Sequence, residues 1–107
     1  MTHRQTLSKV MHLMHQFIRL NGMGQSEALK AAWANVKLVK AMGKGIVRFR
    51  FTKVDGSIRE AYGTLAESML PVVSGERKAN KTLQVYYDTE KQGWRCFKRA
   101  NLMFNAI

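Results

Sequence analysis

Catalysis needs side chains that converge, and the seven carboxylates of this chain are Glu27, Asp55, Glu60, Glu67, Glu76, Asp88 and Glu90. Asp55 precedes a glycine and reads as a turn residue, Glu27 stands where a helix begins, and Glu67 and Glu76 fall in a loop. No pair has a spacing that suggests a general acid working with a general base. Cys96 is the single cysteine, which excludes an intramolecular disulfide. Used as a nucleophile it would need a histidine beside it in space, and a lone cysteine is ordinarily a small buried hydrophobe. His12 and His15 are three apart and share a helix face, yet a zinc site wants three or four protein ligands. Two solvated or phosphate-facing histidines are expected instead. Gly22-Met23-Gly24 lacks the lysine and spacing of a phosphate loop, and Gly43-Lys44-Gly45 ends a helix where such a loop would open one. The chain reads as a non-enzymatic protein with no metal site and no cofactor.

The cations carry the remaining signal. Eighteen Lys and Arg against seven Asp and Glu give a net charge of +11. Residues 1–45 hold seven basic residues and one acid, whereas a surface built for solubility alone mixes signs. Lys30, Lys37 and Lys44 recur every seven residues along a helix and its exit, and Lys40 lies close to their line. Arg48, Arg50 and Arg59 share the outward face of a hairpin closed by a two-residue turn, and Arg95, Lys98 and Arg99 cluster around Phe97. Phosphate backbones attract such stripes because each neutralised phosphate releases condensed counterions, and arginine adds bidentate contacts. Those ten residues are the expected nucleic-acid contacts. RNA is preferred to duplex DNA because neither helix offers a row of base-reading side chains. Asn35 is the one reader-type residue inside the second helix, and a solvated position is its ordinary reading. Trp33, Phe17, Phe49 and Tyr62 fall on apolar stripes and read as core. Tyr86 and Tyr87 point to opposite faces, so one of them should be exposed.

These residues must be positioned by a small scaffold. At 107 residues, with 46% hydrophobic and 23% charged, the chain suits one folded domain with its own core. Nothing approaches the ~20 apolar residues of a membrane helix, and the N-terminus lacks a signal peptide's continuous apolar stretch, so a cytoplasmic protein that does not engage membranes is expected. Leu7, Val10, Met11, Met14, Phe17 and Ile18 recur at helical steps, with Thr6 as N-cap and Asn21-Gly22 as stop. A second helix spans 26–42, with Ser26 as N-cap and Leu29, Ala32, Trp33, Val36 and Val39 on its apolar face. The two helices should form a hairpin packed through Leu7, Met11, Met14, Ile18, Leu29, Trp33 and Val36.

Beyond Gly45 the period changes from helical to alternating. Residues 46–54 and 57–65 read as strands joined at Asp55-Gly56, a strong hairpin signal. A two-residue turn there pairs Phe49 with Tyr62 and Arg50 with Ala61. Val47, Phe49, Phe51, Ile58 and Tyr62 then face inward, and Arg48, Arg50, Thr52 and Arg59 outward. That register also sets Glu60 opposite Phe51, an awkward pairing. Residues 66–81 read as a long loop, 82–88 and 94–98 as strands, and 103–107 as a last short strand. The expected fold is α+β: two N-terminal helices (1–45) followed by a small five-stranded SH3-like barrel (46–107), in one domain.

Residues 45–65, and above all Arg59-Glu60-Ala61-Tyr62-Gly63-Thr64, together with Tyr87-Asp88 and Gly93-Trp94-Arg95-Cys96-Phe97, resemble an uncharacterised family of small SH3-like barrel proteins of bacteria and their phages. The helix start Ser26-Glu27-Ala28-Leu29-Lys30-Ala31-Ala32-Trp33 is similar to a segment common in small phage and mobile-element proteins. The resemblance implies a barrel and a phage or prophage setting. It brings no activity and no catalytic residue. Two functions then compete: a basic protein binding nucleic acid, RNA above DNA, and a phage-encoded inhibitor of host defence. The second would be an anti-CRISPR protein gripping an RNA-guided nuclease or its guide RNA, with a host ribonucleoprotein as partner.

Overall fold

The computed structural model describes residues 2–70 and 82–103. Helix α1 spans His3–Asn21. Its N-cap is Thr2, not Thr6: the Gln5 N–H donates to Thr2 Oγ1 (3.2 Å) and the Thr2 N–H donates to Gln5 Oε1 (3.0 Å), a reciprocal capping box. Gly22 closes the helix in the left-handed region at φ 67°, as the Asn21-Gly22 stop signal implies. Helix α2 spans Gln25–Met42 and is capped by Gly24, which moves Ser26 into the first turn beside Glu27.

The burial of α2 explains where the expected helix contacts fail. Ala28, Ala31, Ala32 and Val36 pack with Val10 and Phe17 of α1, while Ala34, Leu38 and Met42 belong to the barrel core. The helix is therefore buried on two sides, and small residues let its neighbours approach. Met14, Ile18, Trp33 and Val36 pack between the helices as expected, whereas Leu7, Met11 and Leu29 are exposed and Val10, Leu13 and Phe17 complete the contact from α1.

Four strands follow: β1 (Val47–Thr52), β2 (Ile58–Thr64), β3 (Leu83–Asp88) and β4 (Gly93–Lys98), forming one antiparallel sheet in that order. The hairpin register differs from the expected one by a residue. Phe49 pairs with Ala61 and Arg50 with Glu60, because the loop holds three residues, Val54, Asp55 and Gly56. The Gly56 N–H donates to the Lys53 carbonyl (2.9 Å), Gly56 takes φ 90°, and the Lys53 N–H donates to the Ser57 carbonyl (2.7 Å). This is a turn followed by a left-handed bulge residue, which glycine supplies without strain. The one-residue slip exchanges the faces of β2. Ile58 and Tyr62 lie outward, Ala61 and Gly63 inward, and Glu60 meets an arginine instead of Phe51.

Four strands, not five, are present among the described residues. No strand is formed at Met103, the one described residue of the expected fifth, 103–107: its N–H donates to the Arg50 carbonyl at 3.0 Å beside an isolated bridge from Leu102 to Phe51, and 104–107 lie outside the described residues. Of the expected loop at 66–81, a 3-10 turn at Glu67–Met69 is described and 71–81 lie outside. Phe49, Phe51, Tyr86 and Phe97 fill the barrel with ring centroids 5.0–6.0 Å apart. The α2 exit is tied to β2, since the Leu65 N–H (2.9 Å) and the Thr64 hydroxyl (3.2 Å) both donate to the Met42 carbonyl.

Candidate nucleic-acid interface

Four of the expected contacts ride on α2 and its exit. Lys30, Lys37, Lys40 and Lys44 are exposed, and none makes an ion pair among the described residues. Two burial faces leave α2 a narrow wet side; the seven-residue spacing keeps Lys30 and Lys37 on it, Lys44 continues their line past the helix end, and Lys40 stands at its edge.

Arg48 and Arg50 project from the outer face of β1, as expected. The true register brings Glu60 to them: its carboxylate lies 3.8 Å from Arg48 Nε and 3.3 Å from Arg50 Nε. The Tyr62 hydroxyl donates to the same carboxylate at 3.4 Å. Two guanidinium groups thus share one counter-charge, which halves the positive charge of the hairpin face.

Arg59 is not on that face. It lies opposite Phe51, half-buried, and its Nη2 donates to Asp88 Oδ2 at 2.6 Å. It helps line a cleft of about 550 Å³ between the hairpin tip and β4. Phe51, Tyr86 and Phe97 form the floor, and Lys53, Arg95 and Lys98 stand around it. Burial pushes the Tyr86 hydroxyl above its ordinary pKa, an effect the nearby Arg59 charge opposes. Of the two adjacent tyrosines, Tyr86 is buried; Tyr87 is half-buried on the opposite face, edge-on to Trp94 with centroids 5.7 Å apart. Cys96, expected inside, is exposed on that face too.

Arg99 leaves its expected companions Arg95 and Lys98. It sits in the 3-10 turn Arg99–Asn101 and lines a separate groove of about 680 Å³ between the helices and the barrel. Burial lowers its pKa from the ordinary guanidinium value. Lys40 reaches the same groove, as do Lys9, His12 and Gln16 from α1. His12 Nδ1 donates to the Ser8 carbonyl at 2.7 Å, and His12 and His15 are both exposed. Among the described residues no three His, Cys, Asp or Glu side chains come together in a metal-binding group.

Asn35, expected in solvent, is buried at 3% exposure in the groove. The signal that could have placed it is the Leu38 and Met42 periodicity, which marks a second buried side of α2. Lys53 also escaped sequence reasoning, because its place on the cleft depends on the three-residue turn.

No curated protein and no solved structure matches this chain. A family model described as WYL_2, Sm-like SH3 beta-barrel fold, matches residues 35–103. That stretch runs from the barrel-facing half of α2 through all four strands to the Leu102 bridge. By that match over more than half its length, the chain belongs to the WYL_2 family of Sm-like SH3 beta-barrel fold.

Proposed function

We propose that this chain is a non-enzymatic nucleic-acid-binding protein of the cytoplasm that takes RNA in preference to duplex DNA, alone or within a ribonucleoprotein. The observation that carries the reading is the lysine line of α2 and its exit, where Lys30, Lys37, Lys40 and Lys44 stand exposed without carboxylate partners among the described residues. Unpaired like charges on one face repel each other, and a polyanion relieves that repulsion while releasing its own counterions. Lys53, Arg95 and Lys98 at the barrel cleft extend the positive surface. The bacterial or phage setting rests on the sequence resemblance alone.

The test is binding of a labelled single-stranded RNA and a duplex DNA of equal length across a salt series. Each phosphate contact on the single strand contributes a log-log slope of about −0.7, so four lysines alone give roughly −3. The double variant Lys30→Glu with Lys37→Glu should weaken RNA binding at least tenfold while leaving circular dichroism unchanged. Binding that ignores salt, or survives that variant at full strength, overturns the reading; tighter binding to the duplex overturns the preference for RNA.

A further inference from the structure

The groove between α1, α2 and the barrel holds a buried acceptor that the fold leaves unused. The Asn35 amide nitrogen donates to the Ala31 carbonyl (2.8 Å) within α2 and to the Arg99 carbonyl (2.9 Å) in the turn after β4. Both partners are acceptors, so the nitrogen is fixed as the donor and the oxygen is fixed on the other side. That oxygen, Oδ1, is buried and has no hydrogen-bond partner among the described residues. A structural amide that merely joined helix to barrel would do the same with its oxygen satisfied, since buried polar atoms are nearly always paired.

The surroundings of Asn35 specify what would satisfy it. Leu13, Val36 and Val39 give the groove apolar walls, and Lys9, Lys40 and Arg99 bring cations to it from three elements. A volume of about 680 Å³ lies in the range of small-molecule sites. The fitting ligand therefore combines a flat, partly apolar body, an N–H donor and a negative charge. We propose that this groove binds one nucleotide, with a base N–H or amino group donating to Asn35 Oδ1 and the phosphate held by Lys9, Lys40 and Arg99. The nucleotide is either free or one residue of a bound RNA. The second case rests on the RNA-binding reading and the first does not.

Titration of the isotopically labelled full chain with uridine, cytidine, adenosine and guanosine 5′-monophosphates separates these cases. The expected result is saturable shifts of the Asn35 side-chain amide and of the Val36 and Val39 methyl resonances with at least one nucleotide. Affinity should fall at least tenfold for the corresponding nucleoside and for the variant Lys9→Glu with Lys40→Glu, both exposed positions. Asn35→Leu should abolish the base preference; if it unfolds, the wild-type amide shift still decides. Absence of shifts at Asn35 with millimolar nucleotide overturns the proposal, even if the same sample binds RNA. Inorganic phosphate producing the same shifts at equal affinity also overturns it. Nucleotide binding without RNA binding supports the groove while removing the RNA reading.

Discussion

Arg59 and Asp88 form an ion pair at the inner edge of the barrel, with Arg59 Nη2 2.6 Å from Asp88 Oδ2 and Asp88 only 1% exposed. The other carboxylate oxygen of Asp88 accepts the Glu90 and Lys91 N–H groups, each at 3.0 Å, and so shapes the β3–β4 turn. One buried carboxylate thus anchors a strand, a turn and a guanidinium. Arg59 belongs to the scaffold before it belongs to any interface.

Replacing Asp88 with alanine strips three hydrogen bonds and leaves Arg59, itself half-buried, without its counter-charge. Breaking a buried pair from one side costs about 3–5 kcal/mol, and the partial exposure of Arg59 argues for the lower end. Urea denaturation should report a loss of about 3 kcal/mol for Asp88→Ala. A loss below about 1 kcal/mol would mean that solvent already compensates the pair. By contrast, Arg95→Glu should leave the denaturation midpoint nearly unchanged and act on polyanion binding.

The same pair marks where sequence reasoning stopped. Helix and strand periodicity, the Gly22 stop and the outward position of Arg48 and Arg50 were legible because each is set by residues close in sequence. The turn length at Val54, Asp55 and Gly56 was not: Asp55-Gly56 serves both two- and three-residue loops, and the choice moves every β2 side chain to the other face. The awkward Glu60 opposite Phe51 was the trace of that error. A second buried side of α2, with Asn35 on it, was marked by the spacing of Leu38 and Met42, but what covers that side depends on where the barrel docks, which local periodicity does not encode. Likewise, the lysines of α2 were readable as a line, whereas the separation of Arg99 from Arg95 and Lys98 required the 3-10 turn.

Gly63 is set by close approach and not by backbone angle. A Cβ there would lie 2.6 Å from Tyr86 Cδ2 and 3.0 Å from Phe49 Cε1, inside a packed ring cluster. Overpacking of a well-filled core costs about 1–3 kcal/mol. Gly63→Ala should therefore destabilise the chain by roughly 2 kcal/mol, whereas Gly45→Ala, where no atom lies within 4 Å, should be nearly neutral on packing grounds. Equal melting temperatures for the two variants would contradict the close approach of Tyr86 and Phe49 to Gly63.

Acid should loosen the hairpin tip. The Ser57 hydroxyl (2.6 Å) and the Ser57 N–H (2.9 Å) both donate to Asp55 Oδ1, and these bonds, led by the hydroxyl, hold the Asp55 carboxyl below its ordinary pKa of 3.8. A carboxyl depressed by folding adds stability above its unfolded pKa and loses it as pH falls through the lower folded value. The Ser57 amide resonance should therefore hold steady down to about pH 4 and move as the carboxyl protonates below it. Asp55→Asn should remove that pH response. An unchanged Ser57 titration in the variant would assign the transition to another group.

Glu60 offers the sharpest test of whether the outer hairpin face meets a polyanion. Its carboxylate sits between Arg48 and Arg50, and all three side chains are at least 37% exposed. Exposed pairs of this kind contribute about 0–1 kcal/mol, so Glu60→Gln should leave the melting temperature within a few degrees of wild type. The same change removes the one negative charge from the arginine row and frees both guanidinium groups for phosphate. If this face contacts RNA, affinity at low salt should rise by roughly threefold to tenfold, and the salt slope should steepen by about 0.7 for each arginine newly engaged. Glu60→Lys should go further in the same direction. Unchanged affinity and slope in both variants would confine the interface to the α2 lysines and the barrel cleft, and Arg48 and Arg50 would be left with no part in it.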